Sequence, residues 1–98
     1  MNTEIWHVTP VGGNVFEDLG FPPAEAAKLK IKAQLMRELG DWIQENHLKQ
    51  EEAAKLLHVS RPRVSDVMRG KVGKFTIDAL IDMLQCTGRR VGLTVLPG

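Results

Sequence analysis

The sequence predicts a single, mostly α-helical domain that ends in a short β-strand. Apolar residues recur at spacings of three and four from Ala24 to about His47, which is the period of an amphipathic helix. Two shorter segments, 50–57 and 61–69, show the same period and are separated by a tight turn. Apolar side chains then alternate over residues 89–96, as they do along a strand. Because the chain has only 98 residues, these elements must share one hydrophobic core.

The chain divides into three parts. Residues 1–22 are predicted to form an N-terminal arm with a short helix, which Asn14 can cap. Residues 23–88 form the helical domain, and a helix-turn-helix unit lies within it at 50–70. Residues 89–98 form the C-terminal strand, which needs a partner because a lone strand is not stable.

Capping residues delimit the helices of the second half. Ser60 can cap the helix at 61–69, and Thr76 can cap the last helix, because a hydroxyl accepts a hydrogen bond from the first helical turn. Lys49 is a poor cap for the helix at 50–57, since its side chain carries no acceptor. The acidic residues that follow Lys49 suit the positive end of the helix dipole.

The positive charge is concentrated in one segment. The formal net charge of the chain is only +1. Residues 1–22 carry a net charge of −3, whereas residues 55–74 carry +5, with Asp66 as their only acidic residue. The six basic residues of this segment are Lys55, Arg61, Arg63, Arg69, Lys71 and Lys74. Such a segment is either an electrostatic footprint for a polyanion or a solvated helix face.

Several functional classes are excluded by composition. One cysteine, Cys86, forms neither an intrachain disulfide nor a cysteine-based zinc site, and we expect it to pack partly buried. The three histidines are scattered, so we expect no metal site and no cofactor. We find no nucleophile beside a base, so we expect no enzyme. Without a signal peptide or an apolar segment long enough for a membrane helix, the protein is expected in the cytoplasm, at the nucleoid.

Residues 50–70 have the pattern of two short helices that cross at a tight turn. Ala54 must be small because the second helix crosses over it. Val59 fills the turn, and Val64 and Val67 attach the second helix to the first. This arrangement leaves an outer face formed by Arg61, Arg63, Ser65, Asp66 and Arg69.

These residues resemble the helix-turn-helix of the XRE (Cro/cI-type) regulators over residues 39–80, which implies a lambda-repressor-like helical bundle. In that family the second helix enters the major groove and the glutamine that opens the first contacts phosphate. His58 departs from the family, which usually has a left-handed glycine there. The resemblance implies double-stranded DNA as a partner, bound by Gln50, Ser60, Arg61, Arg63, Ser65, Asp66, Arg69, Lys71 and Lys74.

The sequence allows two roles for several of the DNA-facing residues. Arg61 and Arg63 either pair with guanine or contact phosphate only. Lys71 and Lys74 either contact phosphate or lie in water. Ser65 is small enough to let the helix approach the bases, but a solvated serine is an equally simple explanation.

Two further segments, 13–21 (GNVFEDLGF) and 88–95 (GRRVGLTV), are similar to a subgroup of XRE proteins that includes HigA-type antitoxins. The resemblance implies an autoregulating repressor that acts as a homodimer on a palindromic operator, with a RelE-like toxin as its protein partner. Val91, Leu93 and Val95 would then form the dimerisation strand. The alternatives are a stand-alone prophage-type regulator and an interaction module that no longer binds DNA. The strand could also pair with residues 5–8 of its own chain, which would leave dimerisation to the helices.

Overall fold

The computed structural model describes the backbone of residues 5–8 and the whole of residues 14–97. Of the predicted arm, residues 1–4 and 9–13 therefore lie outside the described part of the chain, as does residue 98 at the C-terminus. The elements in chain order are β1 (Ile5–Val8), α1 (Val15–Asp18), α2 (Pro23–Glu45), α3 (Gln50–Leu57), α4 (Arg61–Met68), a 3₁₀ turn (Val72–Lys74), α5 (Ile77–Gln85) and β2 (Arg90–Leu93).

The long helix α2 is the support on which the other helices pack. The larger of two apolar clusters joins its middle, around Leu35 and Leu39, to α5 through Leu80 and Leu84. The smaller cluster joins Ile43 of α2 to the helices α3 and α4. Trp42 is half-buried and packs against both clusters, so the two form a continuous apolar interior.

The helix-turn-helix prediction is confirmed in its geometry. Ala54 and Val64 are buried in the smaller cluster where α3 and α4 meet. His58 has the left-handed conformation expected at this position, with φ 58° and ψ 40°. The next residue, Val59, donates its N–H to the carbonyl oxygen of Ala54 at 3.0 Å and so closes the turn.

The predicted caps differ in outcome. Thr76 Oγ1 accepts from the N–H of Ala79 at 3.1 Å, which confirms it as the cap of α5. Ser60 occupies the N-cap position of α4, but its side chain makes no capping hydrogen bond. Lys49 indeed supplies no acceptor; instead the Glu52 carboxylate accepts from the Lys49 N–H at 3.0 Å, which stabilises the start of α3.

Strand β2 pairs with β1 of the same chain. The pairing is parallel, with Ile5 opposite Arg90 and Val8 opposite Leu93. This is the arrangement left open above, in which the two ends of the chain meet. The strand also ends at Leu93 rather than at residue 96, so Val95 lies beyond it.

The three apolar residues assigned to dimerisation therefore occupy different environments. Val91 is half-buried and packs against the larger core cluster of its own chain. Leu93 is 60% exposed and Val95 is 92% exposed. Leu93 and Val95 are therefore more accessible to a second chain than Val91.

The segment between α5 and β2 is attached to α2 by Arg89. Its Nη2 donates to Glu45 Oε2 at 3.1 Å, and its Nη1 donates to the carbonyl oxygen of Glu38 at 3.5 Å. Burial raises the pKa of the Glu38 carboxyl above its ordinary value of 4.5, and the nearby charge of Asp41 adds to the effect.

Cys86, at the end of α5, is exposed, so the expectation that it packs partly buried is wrong.

Candidate nucleic-acid interface

One face of α4 forms an open recess with the start of α3. Arg61, Ser65 and Arg69 follow one another at intervals of four residues, which places them along one side of the helix. Together with Gln50, the first residue of α3, and Pro62, they line a recess of about 540 Å³. Four of the nine predicted DNA-binding residues are therefore brought together here.

The chemistry of this recess suits the edge of a DNA base pair. Two guanidinium groups, on Arg61 and Arg69, supply planar pairs of donors of the kind that bind guanine or phosphate. Ser65, which lies between them, is half-buried and too short to keep the helix away from a surface. The hydroxyl of Ser60, which makes no capping bond, lies exposed at the start of the same helix.

Arg61 forms an ion pair with the neighbouring helix α3. Its Nη1 lies 3.5 Å from Oε1 of Glu51, and the two side chains are 63% and 74% exposed. Such an exposed pair contributes at most about 1 kcal/mol, so Arg61 can leave it at little cost. Both residues also line a second open recess of about 550 Å³ at the start of α3.

Arg63 does not line the recess that Gln50, Arg61, Ser65 and Arg69 form. Its guanidinium carbon lies 4.1 Å from the centre of the Phe75 ring, and its Nη1 donates to the carbonyl oxygen of Lys74 at 2.8 Å. Because two residues span about 200° of a helix, Arg61 and Arg63 point to different sides of α4. That spacing is visible in the sequence, and it could have separated the two arginines there.

Asp66 and the two lysines form a separate ionic group. Asp66 Oδ1 lies 3.7 Å from Lys71 Nζ, and Oδ2 lies 3.9 Å from Lys74 Nζ. The Asp66 side chain is only 17% exposed, whereas both lysine side chains are well exposed. Arg63 and Asp66 of α4 thus contact Lys71 and Lys74 in the connection to α5 and do not line the recess.

Three residues of this surface were missed in the sequence. Pro62 lines the recess, Glu51 pairs with Arg61, and Phe75 supports Arg63. Pro62 and Glu51 are next to predicted contacts, so their place in the helices could have revealed them. The role of Phe75 depends on the way in which the loop returns to α4, and no local signal indicates it.

Two other kinds of site find no support in the described residues. In residues 5–8 and 14–97, no group of three or more His, Cys, Asp or Glu residues is placed to hold a metal ion. Nor does any helix in this part of the chain have the length and apolar character needed to cross a membrane.

The crossing of α3 and α4 beneath an exposed basic recess defines a helix-turn-helix domain of the kind used by DNA-binding regulators. A family model described as "Helix-turn-helix domain" matches residues 15–96, and the chain belongs to this family. It is an XRE-like regulator, of a class that is typically non-enzymatic. No curated protein matches the chain.

Proposed function

We propose that this protein is a sequence-specific transcriptional repressor that binds a palindromic operator as a homodimer. The observation that carries the proposal is the recess of Gln50, Arg61, Ser65 and Arg69 on the outer side of the helix-turn-helix. An α-helix fits the major groove, and this face presents donors to base edges and phosphates there. Occupancy of an operator, at the nucleoid in the cytoplasm, is the simplest way in which such a domain represses.

The test starts from duplexes enriched out of a random-sequence library by the full-length protein. Arg61→Ala should weaken binding to the enriched duplex by about 1–3 kcal/mol and relax the preference at one position of each half-site. Lys28→Ala, on an exposed position of α2 outside the recess, controls for the loss of one positive charge. If the library shows no enrichment, the protein is an interaction module that does not bind DNA specifically.

The proposed dimer forms through β2. In a two-stranded sheet each strand has one edge without a strand neighbour, and within the described residues β2 pairs only with β1. An exposed strand edge readily pairs with another chain. Two copies of β2 running antiparallel would give a four-stranded sheet and would bring the exposed Leu93 and Val95 of both copies together.

Sedimentation of charged variants tests this dimer. Leu93→Lys should shift the protein towards monomer and reduce operator affinity, because a single half-site is held weakly. Val15→Lys on α1 is the matched control, since Val15 is as exposed as Leu93 but lies far from β2 in sequence. If both variants and the parent protein all sediment as dimers, the dimer interface does not include β2.

We further propose a second partner, a RelE-like toxin, bound by the N-terminal part of the chain. The specific observation is that the start of α1 and the turn between α1 and α2 expose three large apolar side chains: Val15, Leu19 and Phe21. Surfaces of this kind often mark protein interfaces. Co-purification of the full chain with the products of its neighbouring genes, compared with Leu19→Asp, tests the partner. If wild type and variant retain the same products or none, the protein is a stand-alone regulator.

A further inference from the structure

Arg63 is held by two contacts that point away from the recess. Its guanidinium stacks on the ring of Phe75, which is buried in the larger core cluster. Its hydrogen bond to the Lys74 carbonyl oxygen, at 2.8 Å, fixes the backbone of the loop that follows α4. Arg63 is half-buried in this position, unlike the exposed Arg61.

The loop is attached to α4 at a second place, by Asp66. The backbone N–H of Lys71 donates to the Asp66 carbonyl oxygen at 3.0 Å, and the Asp66 carboxylate lies between the two lysine ammonium groups. Each ammonium faces a different carboxylate oxygen, at 3.7 and 3.9 Å. The two lysines are thereby kept close together on an exposed loop.

We propose that Arg63 is a positioning residue, which holds the loop 70–75 so that Lys71 and Lys74 together bind a backbone phosphate of DNA. The inference rests on the proposed function, and it specifies which part of the DNA this loop recognises. The Asp66 carboxylate keeps the two ammonium groups close together, and each ammonium has further N–H groups that can donate to a phosphate oxygen. Lysine is suited to this role because its ammonium is a compact charge with rotatable donors.

The alternative is that Arg63 itself reads a base. For that it would have to leave both the Phe75 ring and the Lys74 carbonyl, and the loop would lose its support at the moment of binding. Arg61 faces no such conflict, since its ion pair with Glu51 is exposed and costs little to break. The geometry therefore divides the two arginines: Arg61 contacts DNA, and Arg63 acts through the loop.

A mutant cycle separates these roles. Arg63→Ala is made in the parent protein and in the K71A/K74A double variant. Both lysine side chains are well exposed in the parent protein, so their replacement should leave the core intact. Affinity is measured for the duplex enriched from the random library and for a shuffled duplex. Arg61→Ala, in the same two backgrounds, is the matched arginine control. If Arg63→Ala does not fold, Arg63→Met replaces it, because methionine still covers the Phe75 ring but cannot donate to Lys74.

In the parent background, Arg63→Ala should weaken binding to both duplexes by the same factor, about five- to tenfold, and leave the base preference unchanged. In the K71A/K74A background the same change should have less than a twofold effect, whereas Arg61→Ala should keep its full effect. K71A/K74A itself should reduce the slope of log affinity against log salt by about 1 for each phosphate contact that is lost.

Two results would overturn the inference while leaving the proposed function intact. One is an equal loss from Arg63→Ala in both backgrounds. The other is a loss confined to the enriched duplex, with relaxed preference at one base pair. If the parent protein enriches no duplex at all, the proposed function fails, and this inference fails with it.

Discussion

Arg61 Nη1 lies 3.5 Å from Glu51 Oε1, and this ion pair joins the two helices of the helix-turn-helix at the edge of the basic recess. Both partners are exposed, so the pair adds little to stability, but it places a carboxylate beside the arginine that is proposed to contact DNA. Any DNA phosphate that approaches Arg61 must therefore compete with Glu51.

Glu51→Gln is expected to tighten binding to a shuffled duplex by about tenfold at low salt, because one repulsive charge is removed from each protomer. The melting temperature should hardly change, since an exposed pair contributes at most about 1 kcal/mol. Filter binding at a series of salt concentrations provides the measurement. Glu17→Gln on α1 is the control for the change in net charge, and an equal gain from both variants would show a purely global effect.

His58→Gly is expected to stabilise the fold by about 0.5–1 kcal/mol. A non-glycine residue in the left-handed region costs about 1–2 kcal/mol, and glycine relieves this cost. The greater freedom of glycine in the unfolded chain offsets part of the gain in stability. Chemical denaturation, with the midpoint compared at equal slope, gives the value. His58→Ala is the companion variant, and it should leave the protein no more stable than wild type. A destabilised glycine variant would mean that the imidazole contributes contacts of its own.

Thr76→Ala should cost about 1 kcal/mol, because Thr76 Oγ1 accepts from Ala79 N–H at the start of α5. Ser60→Ala should cost much less, since Ser60 makes no capping bond although it occupies the same position in α4. The two variants form a matched pair of N-cap hydroxyls, and thermal unfolding compares them directly. Equal losses would indicate that Ser60 does cap α4 in solution.

Glu38→Gln is expected to stabilise the protein at pH 7 but not at low pH. The raised pKa of Glu38 means that the folded state holds this proton more tightly than the unfolded state does. The stability it contributes is complete below pH 4.5 and is lost as the pH rises through the folded pKa. Glutamine stays neutral and avoids that loss. Denaturation of both proteins between pH 4 and about 7 should show that the difference between their free energies of unfolding widens as the pH rises. A constant difference would contradict the raised pKa of Glu38.

Much of the helix-turn-helix was predictable because its signals are local. The bounds of α3 agree with the predicted range, residues 50–57, and the cap at Thr76 followed from its hydroxyl and the apolar residues after it. The left-handed conformation of His58 was implied by the resemblance to the XRE family. The grouping of Arg61, Ser65 and Arg69 also follows once α4 is known to be a helix, because a four-residue interval keeps side chains on one side. Gln50 belongs to α3 and joins this group only through the packing of the two helices.

The rest depends on contacts between segments that are distant in the sequence. The crossing of two short helices at a small alanine could be predicted from the sequence, since caps, turns and apolar spacing are properties of neighbouring residues. The contact of Arg63 with the loop and the pairing of β2 with β1 arise only when the whole chain folds. Arg63 meets Lys74 only after the chain has turned back at Gly70, and β1 meets β2 only when both ends of the chain pack together. Such contacts are set by core packing, which composition and periodicity do not encode locally.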